Sequence, residues 1–277
     1  MSIDMKQRIA FIGGGNMGRS LIGGLIAKGT DPAQLVVADP YAPTLQSLQA
    51  QYNVQTVSNN ADAVRDANVV LLAVKPQELR NVVNSLQEQI LRTRPLLISI
   101  AAGILATDIQ RWAGDVPVVR CMPNRPAMQG CGVTALYAND QVTEANRTLA
   151  EQILGAVGAT LWVERETDMD TVTAISGSGP AYFFLLIEML EAAGQSLGLS
   201  PEVARKLAVE TAYGSGFMAH ESGDSPATLR QQVTSKGGTT AAALEHLEAN
   251  NVRAIFSQAV AAAAQRSAQL AKELGSG

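Results

Sequence analysis

The stretch Arg8-Ile9-Ala10-Phe11-Ile12-Gly13-Gly14-Gly15-Asn16-Met17-Gly18 decides the fold. Apolar residues run straight into three glycines, and helical spacing follows over residues 16–28. The chain therefore passes from a buried strand through a tight turn into a helix. Gly13, Gly15 and Gly18 make a G-x-G-x-x-G in that strand-to-helix context. The first glycine permits the turn, the second lets the backbone approach a pyrophosphate, and the third lets the helix pack closely on the strand. The anion then rests against unpaired N–H groups at the helix start, where Asn16 and Met17 stand. The bland alternative is an ordinary glycine-rich turn, but the place of this turn at the first such junction favours a dinucleotide.

Working outward, apolar runs at 8–13, 35–39, 69–74, 96–100 and 116–121 read as buried strands, with helical spacing between them, as over 16–28 and 77–91. That alternation predicts an α/β fold, a Rossmann-type doubly wound parallel sheet with helices on both faces. Weaker strand signals at 133–137 and 160–163 lie around a helix near 143–157, and no strand is evident after about Thr167. Residues 181–199 are apolar on nearly every side, the pattern of a helix enclosed by neighbours. The short helical half has limited means to enclose it, so a partner subunit is expected to help.

A chain of 277 residues suggests two domains. Eight of the 11 prolines fall by Pro126, while half the alanines lie from Ala174 on, which makes the two halves different in kind. The boundary is placed between 163 and 164: a dinucleotide-binding domain over 1–163 and an all-α domain over 164–277. A net charge of −4 and 4% aromatic residues argue against nucleic acid as a partner. No uninterrupted apolar stretch approaches the roughly 20 residues that span a bilayer, and the opening residues do not look like a signal sequence, so a cytoplasmic protein is expected. Two cysteines, Cys121 and Cys131, and two distant histidines, His220 and His246, offer no metal-ligand spacing.

Asp39 ends the second strand 21 residues past Gly18, where a carboxylate can accept from an adenosine ribose; the alternative is a turn or helix cap, since Pro40 follows. No Arg or Lys stands between Asp39 and Arg65 to meet a 2′-phosphate. This leans towards NADH over NADPH, or towards tolerance of both.

Four more segments follow in order: Ala73-Val74-Lys75-Pro76, Met122-Pro123-Asn124-Arg125-Pro126, Ser176-Gly177-Ser178-Gly179-Pro180-Ala181-Tyr182 and Thr234-Ser235-Lys236-Gly237-Gly238-Thr239-Thr240. Together with the glycine turn, their order and spacing resemble the pyrroline-5-carboxylate reductase family over nearly the whole chain. The resemblance implies a Rossmann domain and a helical dimerisation domain, with some members stacking dimers into decamers. It also implies that Gly13 to Gly18, Asn60, Ala73, Val74, Lys75 and Pro76 contact the cofactor, with Ala101, Ala102, Gly103, Met122, Pro123 and Asn124 near the nicotinamide. The substrate carboxylate would lie between Ser176, Gly177, Ser178, Gly179 and Pro180 and, from the other subunit, Ser235, Gly237, Gly238 and Thr239. Thr240 matches the threonine beside the ring nitrogen. Two departures, Arg125 for the usual Thr and Lys236 for the common Pro, add cations close to the expected anion site.

The residues agree with imine chemistry. A protonated imine already carries its proton and charge, so hydride addition needs positioning more than a strong acid, whereas a ketone becomes an alkoxide that must be stabilised. No Tyr-x-x-x-Lys and no Lys-x-x-x-Asn occurs, which weighs against familiar carbonyl-reducing sites. In S-G-S-G-P, small residues expose N–H groups and Pro180 suits a first helical turn; the alternative is a closely packed helix start. The expected function is NAD(P)H-dependent reduction of 1-pyrroline-5-carboxylate, a small anionic cyclic imine, to L-proline. The rivals are a reductase for another imine or a β-hydroxyacid, separated by a substrate panel, and a non-catalytic dinucleotide-sensing dimer, separated by any turnover.

Overall fold

The computed structural model describes residues 7–275. The chain up to Trp162 alternates as the apolar runs require: β1 (Ile9–Ile12), α1 (Asn16–Ala27), β2 (Leu35–Ala38), α2 (Ala42–Tyr52), β3 (Gln55–Val57), α3 (Asn60–Val64), β4 (Val69–Leu72), α4 (Pro76–Thr93), β5 (Leu96–Ser99), α5 (Ala106–Ala113), β6 (Val118–Met122), β7 (Gly132–Ala138), α6 (Glu144–Leu154) and β8 (Gly158–Trp162). Helices follow: α7 (Asp168–Val172), a π-helical turn over Thr173–Gly177, α8 (Gly179–Ser196), α9 (Pro201–Glu221), α10 (Pro226–Gln232), α11 (Thr239–Ala249) and α12 (Val252–Gly275).

The eight strands form one sheet in the order β3-β2-β1-β4-β5-β6-β7-β8. Every neighbouring pair is parallel except β6 and β7, so the sheet is mixed where the strand pattern predicted a parallel one. The cause is chain length: the segment 123–131 is too short for the helical crossover that a parallel return needs. β6 also starts later than the apolar run, because Pro117 has no N–H to donate to a ladder, although its carbonyl accepts from Leu97.

Alternation along each strand fills two cores. Ile9, Phe11, Val37, Leu71 and Ile98 pack with Leu21, Ile22 and Leu25 of α1 and Ile153 of α6. Ala10, Ile12, Val70, Leu72 and Leu97 pack with Leu79, Val83 and Leu86 of α4 and Ile109 and Trp112 of α5. Each fully buried Leu, Ile or Phe contributes about 1.5–3 kcal/mol over its exposed state, so both faces are needed to hold the sheet.

The chain forms two compact units: residues up to Gly177 with those from Ala263 on, and Ser178–Ala262. Secondary structure turns purely helical earlier, after Trp162. The end of α12 belongs to the sheet unit, where Ser267 donates to Asp170 at 2.7 Å. In the second unit Gly194 of α8 lies close to Ala204 of α9, and Tyr182 meets Phe256 edge-on. Among the described residues of this unit only Gly179, Ala204 and Ala208 are buried. The helix expected to be enclosed on all sides is left bare by its own chain, with Phe183 67% and Phe184 60% exposed. The helical run Asp168–Ser196 has the length and mean hydropathy of a membrane-crossing helix, which counting uninterrupted apolar residues did not reveal.

Candidate functional site

β1 delivers the glycine turn to the carboxyl edge of the sheet. Gly13 has φ +104°, and a side chain there would stand 2.7 Å from the Ala73 carbonyl oxygen, so both backbone and space demand glycine. A Cβ on Gly15, by contrast, would meet nothing within 4 Å. Gly15 is the N-cap of α1 and has no side-chain cap bond, so no capping side chain competes for the first-turn amides near Asn16 and Met17. Gly18 lies 2.7 Å, by its missing Cβ, from the Gly13 carbonyl oxygen, which brings α1 close to the strand. Open space beside free helix-start amides fits a diphosphate.

Asp39 performs a task the sequence pattern did not specify. Its Oδ2 accepts from Gly14 N–H at 2.8 Å and its Oδ1 from Tyr41 N–H at 2.8 Å. The carboxylate therefore ties the glycine turn to the end of β2 as well as capping its own turn. Next to it, a cleft of about 430 Å³ is lined by Gly13, Pro40, Ser58, Asn59, Asn60 and Val74, with Glu78 at its rim. Of the expected cofactor residues, Gly13, Asn60 and Val74 meet here. Ser58, Asn59 and Glu78 were not singled out, because β3, which leads to the first two, is a three-residue edge strand without an apolar signature. Asn59 caps α3 by accepting from Ala61 N–H at 2.9 Å. Ala73 N–H bonds the Ile12 carbonyl at 2.8 Å, while exposed Lys75 caps α4 from its backbone, with Pro76 in the first turn.

Farther along the same edge, β5 runs into Ala101, Ala102 and Gly103, where Gly103 has φ +77° and Ser99 Oγ accepts from Ala101 N–H at 3.4 Å. β6 runs into Met122, Pro123 and Asn124, and Asn124 Oδ1 fastens the return strand by accepting from Val133 N–H at 3.0 Å. Met122 reaches Gly177: a Cβ on that glycine would overlap the Met122 methyl at 2.5 Å. Gly177 and Ser176 lie in the π-helical turn, a geometry frequent at functional sites, and Ser176 Oγ donates to the Val172 carbonyl at 3.0 Å.

Sequence patterning gave no role to Arg120, a lone charge inside the β6 run. Its side chain is 4% exposed and pairs at 3.1 Å with Glu166, itself 14% exposed. The same Glu166 oxygen accepts from Ala106 N–H at 2.6 Å. Tyr137 stands opposite Arg120 in β7; burial, then the carboxylates of Glu166 and Asp140, push its phenol pKa up.

In the second unit, each expected substrate loop opens a helix. Ser178 is the N-cap of α8, with Gly179 and Pro180 in the first turn and no side-chain cap bond. Gly238 is the N-cap of α11, again without a side-chain cap bond, and Thr239 and Thr240 begin the helix. Gly237 has φ +71°, and a side chain on Gly238 would run into Ser235 Oγ. The start of α11 therefore carries amides free of a capping side chain, next to hydroxyls able to donate, whereas α8 continues from the π-helical turn with Ser178 itself in helical geometry. Thr240 is half-buried, while Thr239, Ser235 and Lys236 are exposed. Cys121 is buried and its thiol is pushed far up by desolvation, which closes off a nucleophilic role. His220 is exposed beside Glu221 on α9, and His246 lies near Asn250 on α11.

Two family models match separate stretches of the chain. A family model for pyrroline-5-carboxylate reductase dimerisation covers residues 166–270, and one described as NADP oxidoreductase coenzyme F420-dependent covers residues 8–103. A pyrroline-5-carboxylate reductase of Pseudomonas aeruginosa is 49% identical over 269 residues, 97% of this chain and 98% of its own. Among solved structures, a pyrroline-5-carboxylate reductase from Coxiella burnetii superposes with a TM-score of 0.93 at 41% identity, covering 95% of this chain and 98% of that one. The pyrroline carboxylate reductase of Plasmodium falciparum with NADP bound gives 0.83 at 30% identity, over 96% and 99% of the two chains.

Proposed function

The chain belongs to the pyrroline-5-carboxylate reductase family, and on that premise we propose that it reduces the C=N bond of 1-pyrroline-5-carboxylate to give L-proline. The observation that carries this reading is the open cradle at Gly15, at the start of a helix and next to the cleft that begins at Gly13. The P. falciparum relative, whose structure holds NADP, supports a nicotinamide dinucleotide as the cofactor. When bound, the cofactor supplies a hydride from its reduced ring.

This chain's residues bind, orient and exclude water. Gly13, Gly15, Asn16, Met17 and Gly18 take the diphosphate, and Asn60, Ala73, Val74, Lys75 and Pro76 flank the adenosine side. Ala101 to Gly103 and Met122 to Asn124 shape the nicotinamide end. Backbone amides of Ser176 to Gly179 with the Ser178 hydroxyl, shaped by Pro180, and, from a second copy, amides and hydroxyls of Ser235 to Thr239 take the substrate carboxylate. The Thr240 hydroxyl donates to the ring nitrogen or to a water beside it. The imine arrives protonated, so hydride delivery to its carbon leaves a neutral ring amine, which takes its final proton from water. No side chain has to act as a strong acid, which suits a chain whose buried cysteine is inert.

NADH is the preferred cofactor in this reading. Among the described residues lining the cleft there is no Lys or Arg, and its charged member is Glu78, which repels a 2′-phosphate. The bare apolar face of α8 is buried in a homodimer and not in a bilayer, with further stacking towards a decamer open to such dimers. The division at 163/164 then sets the cofactor-binding strands apart from the helical part that builds the dimer and takes substrate. Two free cysteines accord with a reducing cytoplasm.

The test supplies purified protein with 1-pyrroline-5-carboxylate and each reduced cofactor, following cofactor oxidation and proline formation. Turnover with a higher kcat/KM for NADH is expected. No proline with either cofactor overturns the function, and preference for NADPH overturns the reading of the cleft alone.

A further inference from the structure

We propose that Arg120 and Glu166 are a positioning pair that holds the nicotinamide end of the cofactor groove in register; this rests on the placement of residues 101–103 and 122–124 at that end. Arg120 is the third residue of a five-residue strand between β5 and β7, opposite Ser99 and Tyr137. Alternation puts Arg120 and Met122 on the same face, about 6.7 Å apart along the strand. One Glu166 oxygen collects two donors, the Arg120 guanidinium at 3.1 Å and the Ala106 N–H at 2.6 Å. Ala106 opens α5, just after the loop that contains Gly103, and its amide is one of the helix-start donors that seek an anion.

Three separate segments are thereby fixed to one atom: the strand that ends in Met122, the helix that follows residues 101–103, and the chain entering α7. Met122 in turn touches Gly177 at the edge of the proposed carboxylate loop. A buried ion pair is weak evidence for stability, because an apolar pair of equal volume stabilises as well, so its use here is to select one arrangement of the loops.

The experiment compares Arg120→Met, Glu166→Gln and Met122→Ala in the full chain, with circular dichroism to verify folding. Affinities for NADH and ADP-ribose are titrated, and kcat and KM are measured with the imine. ADP-ribose has the adenosine and diphosphate but no nicotinamide, so it reports the glycine turn and the adenosine side without the nicotinamide end. Arg120→Met is expected to weaken NADH and lower kcat on the order of tenfold to a hundredfold, the scale of a misplaced reacting group, with ADP-ribose affinity within about twofold of the parent. Glu166→Gln, which keeps an acceptor oxygen but loses the charge, moves the same quantities in the same direction by less, and decides the matter if Arg120→Met does not fold. Equal weakening of both ligands, or parental NADH binding and turnover in a folded variant, overturns the pair. Met122→Ala separates the two layers. If it leaves NADH binding and turnover untouched, the placement of the nicotinamide falls and the proposal with it. If it acts while the other two do not, the placement stands and the positioning pair alone is overturned.

Discussion

Replacing Gly15 by alanine separates folding from cofactor binding. The residue has φ −66° and ψ −173°, which alanine adopts without strain, and its added Cβ meets nothing within 4 Å. Losing glycine at an N-cap costs up to about 1 kcal/mol. Reduced freedom of the unfolded chain returns about 0.4–1 kcal/mol. Folding stability is therefore expected to stay within about 1 kcal/mol of the parent. Binding is different, because the methyl occupies the space through which a diphosphate reaches the helix-start amides. Displacing two charge-assisted hydrogen bonds, at about 1.5–3 kcal/mol each, weakens the cofactor by about 3–6 kcal/mol, at least a hundredfold in Kd. The assay pairs isothermal titration with NADH against thermal unfolding. Gly13→Ala is the contrasting control: φ +104° and a 2.7 Å approach to the Ala73 oxygen predict lost stability first. Parental NADH affinity in Gly15→Ala refutes the cradle, and a large loss of stability refutes the claim that the space is open.

Thr240→Ala is expected to fold normally, since the residue is half-buried at a helix start, and to lower kcat about ten- to a hundredfold; unchanged turnover and KM remove its role. A charge on the bare face of α8, as in Phe184→Glu, is expected to convert dimer to monomer by light scattering and to abolish turnover, because the second copy's loop is then missing. Burial raises the Cys121 pKa, so the folded state keeps that proton while the unfolded chain releases it at alkaline pH. The unfolded state binds fewer protons there, and stability should fall with rising pH by about 1.4 kcal/mol per unit above the unfolded thiol's pKa; Cys121→Ala removes that part of the slope in urea melts. In the native protein a thiol reagent should label exposed Cys131 and spare Cys121.

What the sequence by itself determined is what depends on neighbours along the chain. The glycine turn was legible because tight φ angles and close approach leave one residue type at Gly13, and the buried strands of both cores were legible because a strand covered on both faces must be apolar throughout. The order of motifs carried the family, and through it the imine and the expected loops. The antiparallel turn of β7 could have been read from the shortness of 123–131, but the strand pattern has no direction in it. β3 is too short and too exposed to leave a period of two.

Only the tertiary structure decided which distant groups share an atom. It joined Asp39 to Gly14 across 25 positions and Arg120 to Glu166 across 46, and laid Met122 against Gly177. It also left α8 bare, where composition could say only that the helix needed covering. Periodicity records whether a side chain faces a core, because burial selects for apolar atoms at each position separately. A pairing of two polar groups satisfies both at once and leaves no mark on either stretch, so the clamps at the carboxyl edge of the sheet could appear only when the chain was folded.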